Sequence, residues 1–126
     1  RHVDFTDPYD PALRQQLIEA AARAGMTVSD AAVYAVTQGP RLETAAEIDR
    51  FERDGADLVG MTAMPEAVLA RELGLPYAAI NLVANYAAGR ADSRHGISFD
   101  AIEQVLQESM GRVRTIIAAL VGGSDS

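Results

Sequence analysis

Cysteine is absent from the 126 residues, and so is lysine: all eleven basic residues are Arg. The first absence excludes disulfides, thiolate nucleophiles and Cys-bound zinc. The second excludes a Schiff-base lysine and a P-loop lysine. Histidine is limited to His2 and His95, too few for a His-built structural zinc site, so no metal is expected. Apolar runs are short and broken, well below the roughly 20 residues that a membrane-spanning helix needs. Basic charge is also in short supply. Eighteen acidic residues against eleven basic ones leave a formal net charge of −7, which argues against non-specific binding to nucleic acid or to an anionic membrane. A small anionic substrate remains compatible, because a pocket can be locally positive. The N-terminus, Arg1-His2-Val3-Asp4, is not a signal peptide, and a cytoplasmic location is expected. The chain opens without Met, and a part of a longer polypeptide is the expectation.

Hydrophobic residues make up 48% and charged residues 23%, enough to bury a core. Asp10-Pro11 opens a first helix, with Asp10 as N-cap and Pro11 at the first helical position. Leu13, Leu17, Ile18, Ala21 and Ala24 recur at helical spacing, and Gly25 closes the helix. Asp30 to Thr37 reads as a buried strand. Thr44 and Glu47 form a capping box for a second helix, which Gly55 ends. Asp57 to Met61 reads as a second strand. A third helix starts at Met64-Pro65-Glu66 and ends at Gly74, and Tyr77 to Ala84 reads as a third strand. A loop follows from Asn85 to Ile97. Ser98 caps a last helix carried by Ile102, Val105, Leu106, Met110, Val113, Ile117 and Leu120, and Gly122 to Ser126 form a tail. This alternation implies an α/β fold with a largely parallel sheet flanked by helices. Three apolar strands are few for such a sheet, which suggests that further strands come from elsewhere.

In open α/β sheets ligands bind beyond the carboxyl ends of the strands. Past the first expected strand stand Gly39, Pro40, Arg41, Leu42 and Glu43; past the second, Met61 and Thr62; past the third, Asn85 and Tyr86. A carboxylate, a hydroxyl and a carboxamide on one rim suit a heterocycle and an anion, since a carboxylate accepts from ring N–H groups and a carboxamide both donates and accepts. Thr62 near a helix start suits phosphate. Each has a plainer reading. Glu43 fits as an acidic residue before a helix, Thr62 as an N-cap, Asn85 as a turn residue in the left-handed region, and Met61 and Tyr34 as core. Arg41, Arg90, His2 and His95 fit as surface residues. The residues alone leave both sets open.

The phrases Gly39-Pro40-Arg41-Leu42-Glu43-Thr44-Ala45-Ala46-Glu47 and Gly55-Ala56-Asp57-Leu58-Val59-Gly60-Met61-Thr62-Ala63-Met64-Pro65-Glu66 resemble the trimeric purine nucleoside phosphorylase and methylthioadenosine phosphorylase family. The resemblance makes residues 1–126 the C-terminal half of a single phosphorylase domain, with a mixed, mostly parallel sheet flanked by helices. It implies a homotrimer, no cofactor, inorganic phosphate as co-substrate, and the N-terminal half of the same protein as partner. That half would bring a Gly-rich turn and an Arg/His pair to the phosphate site. The implied reaction is reversible phosphorolysis of a purine nucleoside to free base and sugar 1-phosphate.

By the same resemblance, Glu43 meets purine N1–H, Met61 packs on the ribose, Thr62 contacts phosphate, and Asn85 faces N7 and O6 and is the catalytic residue. Related chains acting on 6-aminopurines usually carry Asp where this one has Asn85. Asn85 with Glu43 therefore favours a 6-oxopurine. Phe99, with Ile97 beside it, stands where general inosine/guanosine phosphorylases tend to carry His, and this suits a 5′-methylthio group. Tyr34 is included among the substrate-binding candidates. The expected substrate is thus a 6-oxopurine 5′-methylthionucleoside, giving hypoxanthine and 5-methylthioribose 1-phosphate. A general inosine/guanosine phosphorylase, an adenine-directed methylthioadenosine phosphorylase and a non-catalytic structural fragment are the alternatives, and Phe99 as a staple holding the helix on the core is the alternative for that residue.

Overall fold

The computed structural model of the chain describes residues 2–123. The chain divides into two compact units. One comprises Arg1–Asp30, Thr62–Asn81 and Met110–Ser126, and the other Ala31–Met61 and Leu82–Ser109.

In the first unit, helix α1 spans Pro11–Arg23. The Asp10 carboxylate accepts from the Leu13 N–H at 2.7 Å, and Pro11 occupies the first turn, where a missing N–H costs nothing. Past Ala24, Gly25 takes φ +73°, a left-handed conformation that ends the helix. Helix α3 is a short piece, Glu66–Glu72. Helix α4 runs over Phe99–Gly123, and its stretch from Met110 onward belongs to this unit. Ala20 and Ala21 of α1 pack with Ile116 of α4, and Leu17, Met26, Ile80, Ala119 and Leu120 surround them. The two small alanines leave room on α1 for the Ile116 side chain. The N-terminal segment is tied down by Arg71 of α3, which donates to the carbonyls of Asp4 at 2.8 Å and Asp7 at 2.5 Å and lies over the Phe5 ring.

The second unit holds the sheet. Strand β1, Tyr34–Val36, pairs in parallel with β2, Leu58–Gly60, in the register Tyr34 to Leu58, Ala35 to Val59 and Val36 to Gly60. Helix α2, Ala45–Arg53, is the crossover that a parallel pair requires. The ladder is bracketed by two further bonds. Asp57 N–H donates to the Val33 carbonyl and Thr37 N–H to the Gly60 carbonyl, each at 2.8 Å. The Asp57 carboxylate also accepts from the Val33 N–H at 2.8 Å. Residues 82–98 then form a loop that contains one 3-10 turn, Ala91–Ser93.

The helices lie close to their expected ranges, and the second strand is found at Leu58–Gly60, inside the expected Asp57 to Met61; the other two strands differ. The expected first strand shrinks to three residues. Tyr77 to Ala84 forms no strand among the described residues. A strand exists only through its ladder, and this apolar segment has none among the described residues; Val83 is 62% exposed. At the other end, Gly122 and Gly123 continue α4 instead of fraying. The Arg23 guanidinium donates to the Ala119 carbonyl at 3.1 Å near that end, a cation placed where the helix dipole favours it. The remainder of the expected tail, Ser124 to Ser126, lies outside the described residues.

Replacing Ile116, 5% exposed, by Ala leaves a void between two alanines that cannot grow into it, whereas its neighbour Ile117 is 46% exposed. Urea unfolding is expected to show a loss of about 2–4 kcal/mol for Ile116→Ala and under about 1 kcal/mol for Ile117→Ala.

Candidate functional site

Thr37 follows the last residue of β1, and its hydroxyl donates to the Glu43 carboxylate at 2.8 Å. The same hydroxyl lies 3.5 Å from the Gly60 carbonyl, which already accepts from the Thr37 N–H. The side chain of Glu43 is therefore anchored to the end of the sheet. Its own loop is held by a second set of bonds. Arg41 grips Glu47 with both terminal nitrogens, at 2.7 and 3.2 Å, and donates to the Leu42 carbonyl at 3.2 Å. Glu47 accepts from the Thr44 N–H at 2.9 Å, and the Thr44 hydroxyl accepts from the Glu47 N–H at 3.1 Å. Glu43 thus sits between a carbonyl held by Arg41 and an N–H held by Glu47. The Arg41 guanidinium, and after it the Thr44 N–H, hold the Glu47 carboxyl down to a pKa of about 2.

Two close approaches shape the strand ends. Gly39 has φ +67°, and a Cβ there would stand 2.5 Å from the Met61 sulfur, so the Met61 side chain packs directly on the Gly39 backbone. Gly60 leaves the space that the Tyr34 hydroxyl fills. Tyr34 and Met61 are both half-buried.

Asn85 is exposed, and its amide donates to the Tyr86 carbonyl at 2.8 Å. That carbonyl also accepts from the Ser93 hydroxyl at 2.6 Å. Ser93 is 5% exposed. Arg90 fastens the loop to α2 by pairing with Asp49 at 2.9 Å and with Glu52. Gly89, at φ +79°, approaches α2 so closely that a Cβ would lie 2.9 Å from the Ala45 Cβ. Farther along, Ala91, Asp92 and residues 94–98, among them His95 and Ile97, line an open hollow of about 510 Å³. Phe99 is the first residue of α4 and is 67% exposed.

The pattern of the family described as "Phosphorylase superfamily" matches residues 1–122. The chain belongs to the phosphorylase superfamily. It is 54% identical, over 98% of its length, to a probable S-methyl-5′-thioinosine phosphorylase from Pseudomonas syringae pv. tomato, of which it covers 49%. It is 45% identical, over 94% of its length, to the 6-oxopurine nucleoside phosphorylase of Pyrococcus furiosus, covering 44% of that protein. A solved structure of methylthioadenosine phosphorylase from Schistosoma mansoni in complex with adenine superposes with a TM-score of 0.88 at 26% identity, over 99% of this chain and 49% of that one. The chain spans about half the length of the relatives it matches. The α/β fold expected from the alternation of helices and strands is the phosphorylase fold.

Among the candidates of this chain of the phosphorylase superfamily, Tyr34, Glu43, Met61, Asn85, Ile97 and Phe99 fall in one unit. Thr37 joins Glu43 to the sheet end, and Met61 lies against Gly39 at the base of the loop that bears Glu43. The Asn85 amide is engaged separately, with Tyr86. Thr62 belongs to the other unit. It is not the cap of α3, which starts four residues later behind Pro65 with no side-chain cap. The local sequence Met64-Pro65 explains this, since the residue before a proline is pushed out of the helical region. Neither is Asn85 a left-handed turn residue; among the described non-glycine residues that conformation falls to Ala91, at φ 38°. Phe99 is too exposed to staple α4 to a core. Arg41 and Arg90, expected at the surface, also form the ion pairs that pin two loops to α2. Thr37 and Ser93 were missed. A threonine at a strand end and a serine in a loop carry no periodic signal, although Thr37 lies six residues before Glu43 at the mouth of the same loop. Among the described residues no group of three or more His, Asp or Glu is placed to hold a metal ion.

The depressed Glu47 carboxyl gives a pH prediction. Its folded-state value lies below the ordinary 4.5, so the grip by Arg41 is complete above about pH 4.5 and is lost as pH falls through about 2. Carbon-detected titration should place the Glu47 midpoint near the lower value. In Arg41→Gln it should move upward toward the ordinary carboxylate range.

Proposed function

We propose that this chain carries the base-binding part of a phosphorylase that cleaves 6-oxopurine 5′-methylthionucleosides, with S-methyl-5′-thioinosine as substrate. The observation that carries the reading is the Glu43 carboxylate, bonded through Thr37 to the end of the sheet. An ionised carboxylate is acceptor-only. A 6-oxopurine offers N1–H to such a group; adenine offers a lone pair there. Asn85 has one amide hydrogen engaged by Tyr86 and keeps a second, which it can donate to the N7/O6 edge, where both purine atoms are acceptors. The relatives named for methylthioinosine and for 6-oxopurine nucleosides support the same base class.

In this reading a phosphate oxygen attacks C1′ while the C1′–N9 bond breaks, and the bonding pair moves into the purine. Asn85 donates to N7 as that charge develops, which is stabilisation directed at the transition state. Met61, packed on Gly39, is the floor for the ribose, and Tyr34 lies near it on β1. Thr62 contributes to holding phosphate. Phe99, exposed at the start of α4, offers an aromatic face to the 5′-methylthio group, with Ile97 beside it. The remaining half of a relative-length phosphorylase completes the phosphate site. The protein works as a homotrimer in the cytoplasm, needing phosphate as co-substrate and no cofactor. No described helix is long and apolar enough to cross a membrane.

Steady-state phosphorolysis by the chain together with an N-terminal half is the test. The expected order of kcat/KM is methylthioinosine first, then inosine, then methylthioadenosine, with no activity from the chain alone. Equal values for methylthioinosine and inosine would give Phe99 no part in selecting the sugar and leave a general 6-oxopurine nucleoside phosphorylase. A preference for methylthioadenosine would overturn the base assignment. Asn85→Ala is expected to lower kcat about 100-fold.

A further inference from the structure

We propose that Thr37 is a positioning residue that sets base specificity by fixing the hydrogen-bonding face of Glu43. This rests on the reading of Glu43 as the partner of purine N1. The Thr37 backbone is fixed first, because its N–H closes the β1–β2 ladder on the Gly60 carbonyl at 2.8 Å. Its hydroxyl then has one proton and two acceptors in reach, Glu43 Oε2 at 2.8 Å and the Gly60 carbonyl at 3.5 Å. The nearer acceptor is a carboxylate, and the farther one already holds the Thr37 N–H. Charge-assisted bonds are the shorter and stronger ones, so the proton lies on the Glu43 side.

That arrangement fixes two things. The carboxylate plane is locked to a strand end rather than swinging on a loop. And Glu43 accepts the Thr37 hydrogen bond at Oε2, and as an ionised carboxylate it has no hydrogen to donate. Its other oxygen meets a base only as an acceptor. A purine with N1–H completes the set, whereas a purine with a lone pair at N1 meets lone pair against lone pair. A site built around a defined hydrogen-bond partner rejects the analogue that lacks it, because the buried groups are left unpaired. Thr37 therefore acts on the ratio between the two bases, not on affinity in general.

Binding of hypoxanthine and of adenine to the chain together with an N-terminal half, measured by calorimetry in saturating phosphate, tests this with Thr37→Val and Thr37→Ser. Valine keeps the shape and the backbone bond but removes the donor. The hypoxanthine Kd should rise about tenfold, the size of one lost hydrogen bond to a charged group, with adenine changing less than about threefold. Serine should restore both the affinity and the ratio. A merely structural role would weaken the two bases together, and that result, or an unchanged ratio in Thr37→Val, overturns the proposal while leaving the Glu43 assignment in place. A wild-type chain that prefers adenine or binds neither base overturns both. A second readout needs no base: the Glu43 carboxyl carbon resonance should shift in Thr37→Val and return in Thr37→Ser, and a resonance that is the same in all three would equally refute the role of the hydroxyl.

Discussion

Val36 lies beside Gly60, and the ladder closes on the bond from Thr37 to the Gly60 carbonyl. That pairing level is the constraint from which the candidate site follows. Because the strands run parallel, both chains leave the sheet on the same side. The loop from Gln38 to Glu43 and the residue Met61 therefore emerge as neighbours, and Gly39 settles on the Met61 sulfur. A slip of one residue would turn Thr37 to the opposite face and separate its hydroxyl from Glu43. The position of one carboxylate is thus a consequence of strand register, transmitted through a single hydroxyl.

The loops are held by polar bonds more than by burial. Among the described residues the buried apolar set is small, with Ile48 and Ile116 its largest members, while Leu69, Leu73, Leu75, Val83 and Val121 are exposed. Arg41 on Glu47 and Arg90 on Asp49 and Glu52 are surface pairs, of a kind that adds little to stability. Their effect is geometric: each fixes a loop against α2, whose own start is fixed by Thr44 and Glu47. The capping box therefore does more than begin a helix. It carries the bidentate grip of Arg41, and so sets the backbone on both sides of Glu43.

The helix starts and stops were legible because capping is local. Asp10, Thr44, Glu47 and Ser98 lie within a few residues of the groups they satisfy. Strands were less legible, because an apolar run marks what can pair but not whether a partner is present; Tyr77 to Ala84 is such a run. The site was legible in part for the same reason. Glu43 follows from its place in a long, ordered motif, and Asn85 from its place past the third expected strand. The supporting bonds, from Thr37 to Glu43, Ser93 to Tyr86 and Arg90 to Asp49 and Glu52, join residues from six to more than forty positions apart through single polar atoms. Neither spacing nor composition marks such pairs before the chain is folded.

What ties these observations to chemistry is the proposed pairing of an acceptor-only carboxylate with a carboxamide around a keto purine, and a crystal structure of the chain soaked with hypoxanthine examines it most directly. The account predicts a Glu43 oxygen within roughly 2.7–3.2 Å of N1, with the Thr37 bond retained and the Asn85 amide facing N7 and O6. A ring bound elsewhere, or one with positions 43 and 85 turned away from its edges, would contradict it.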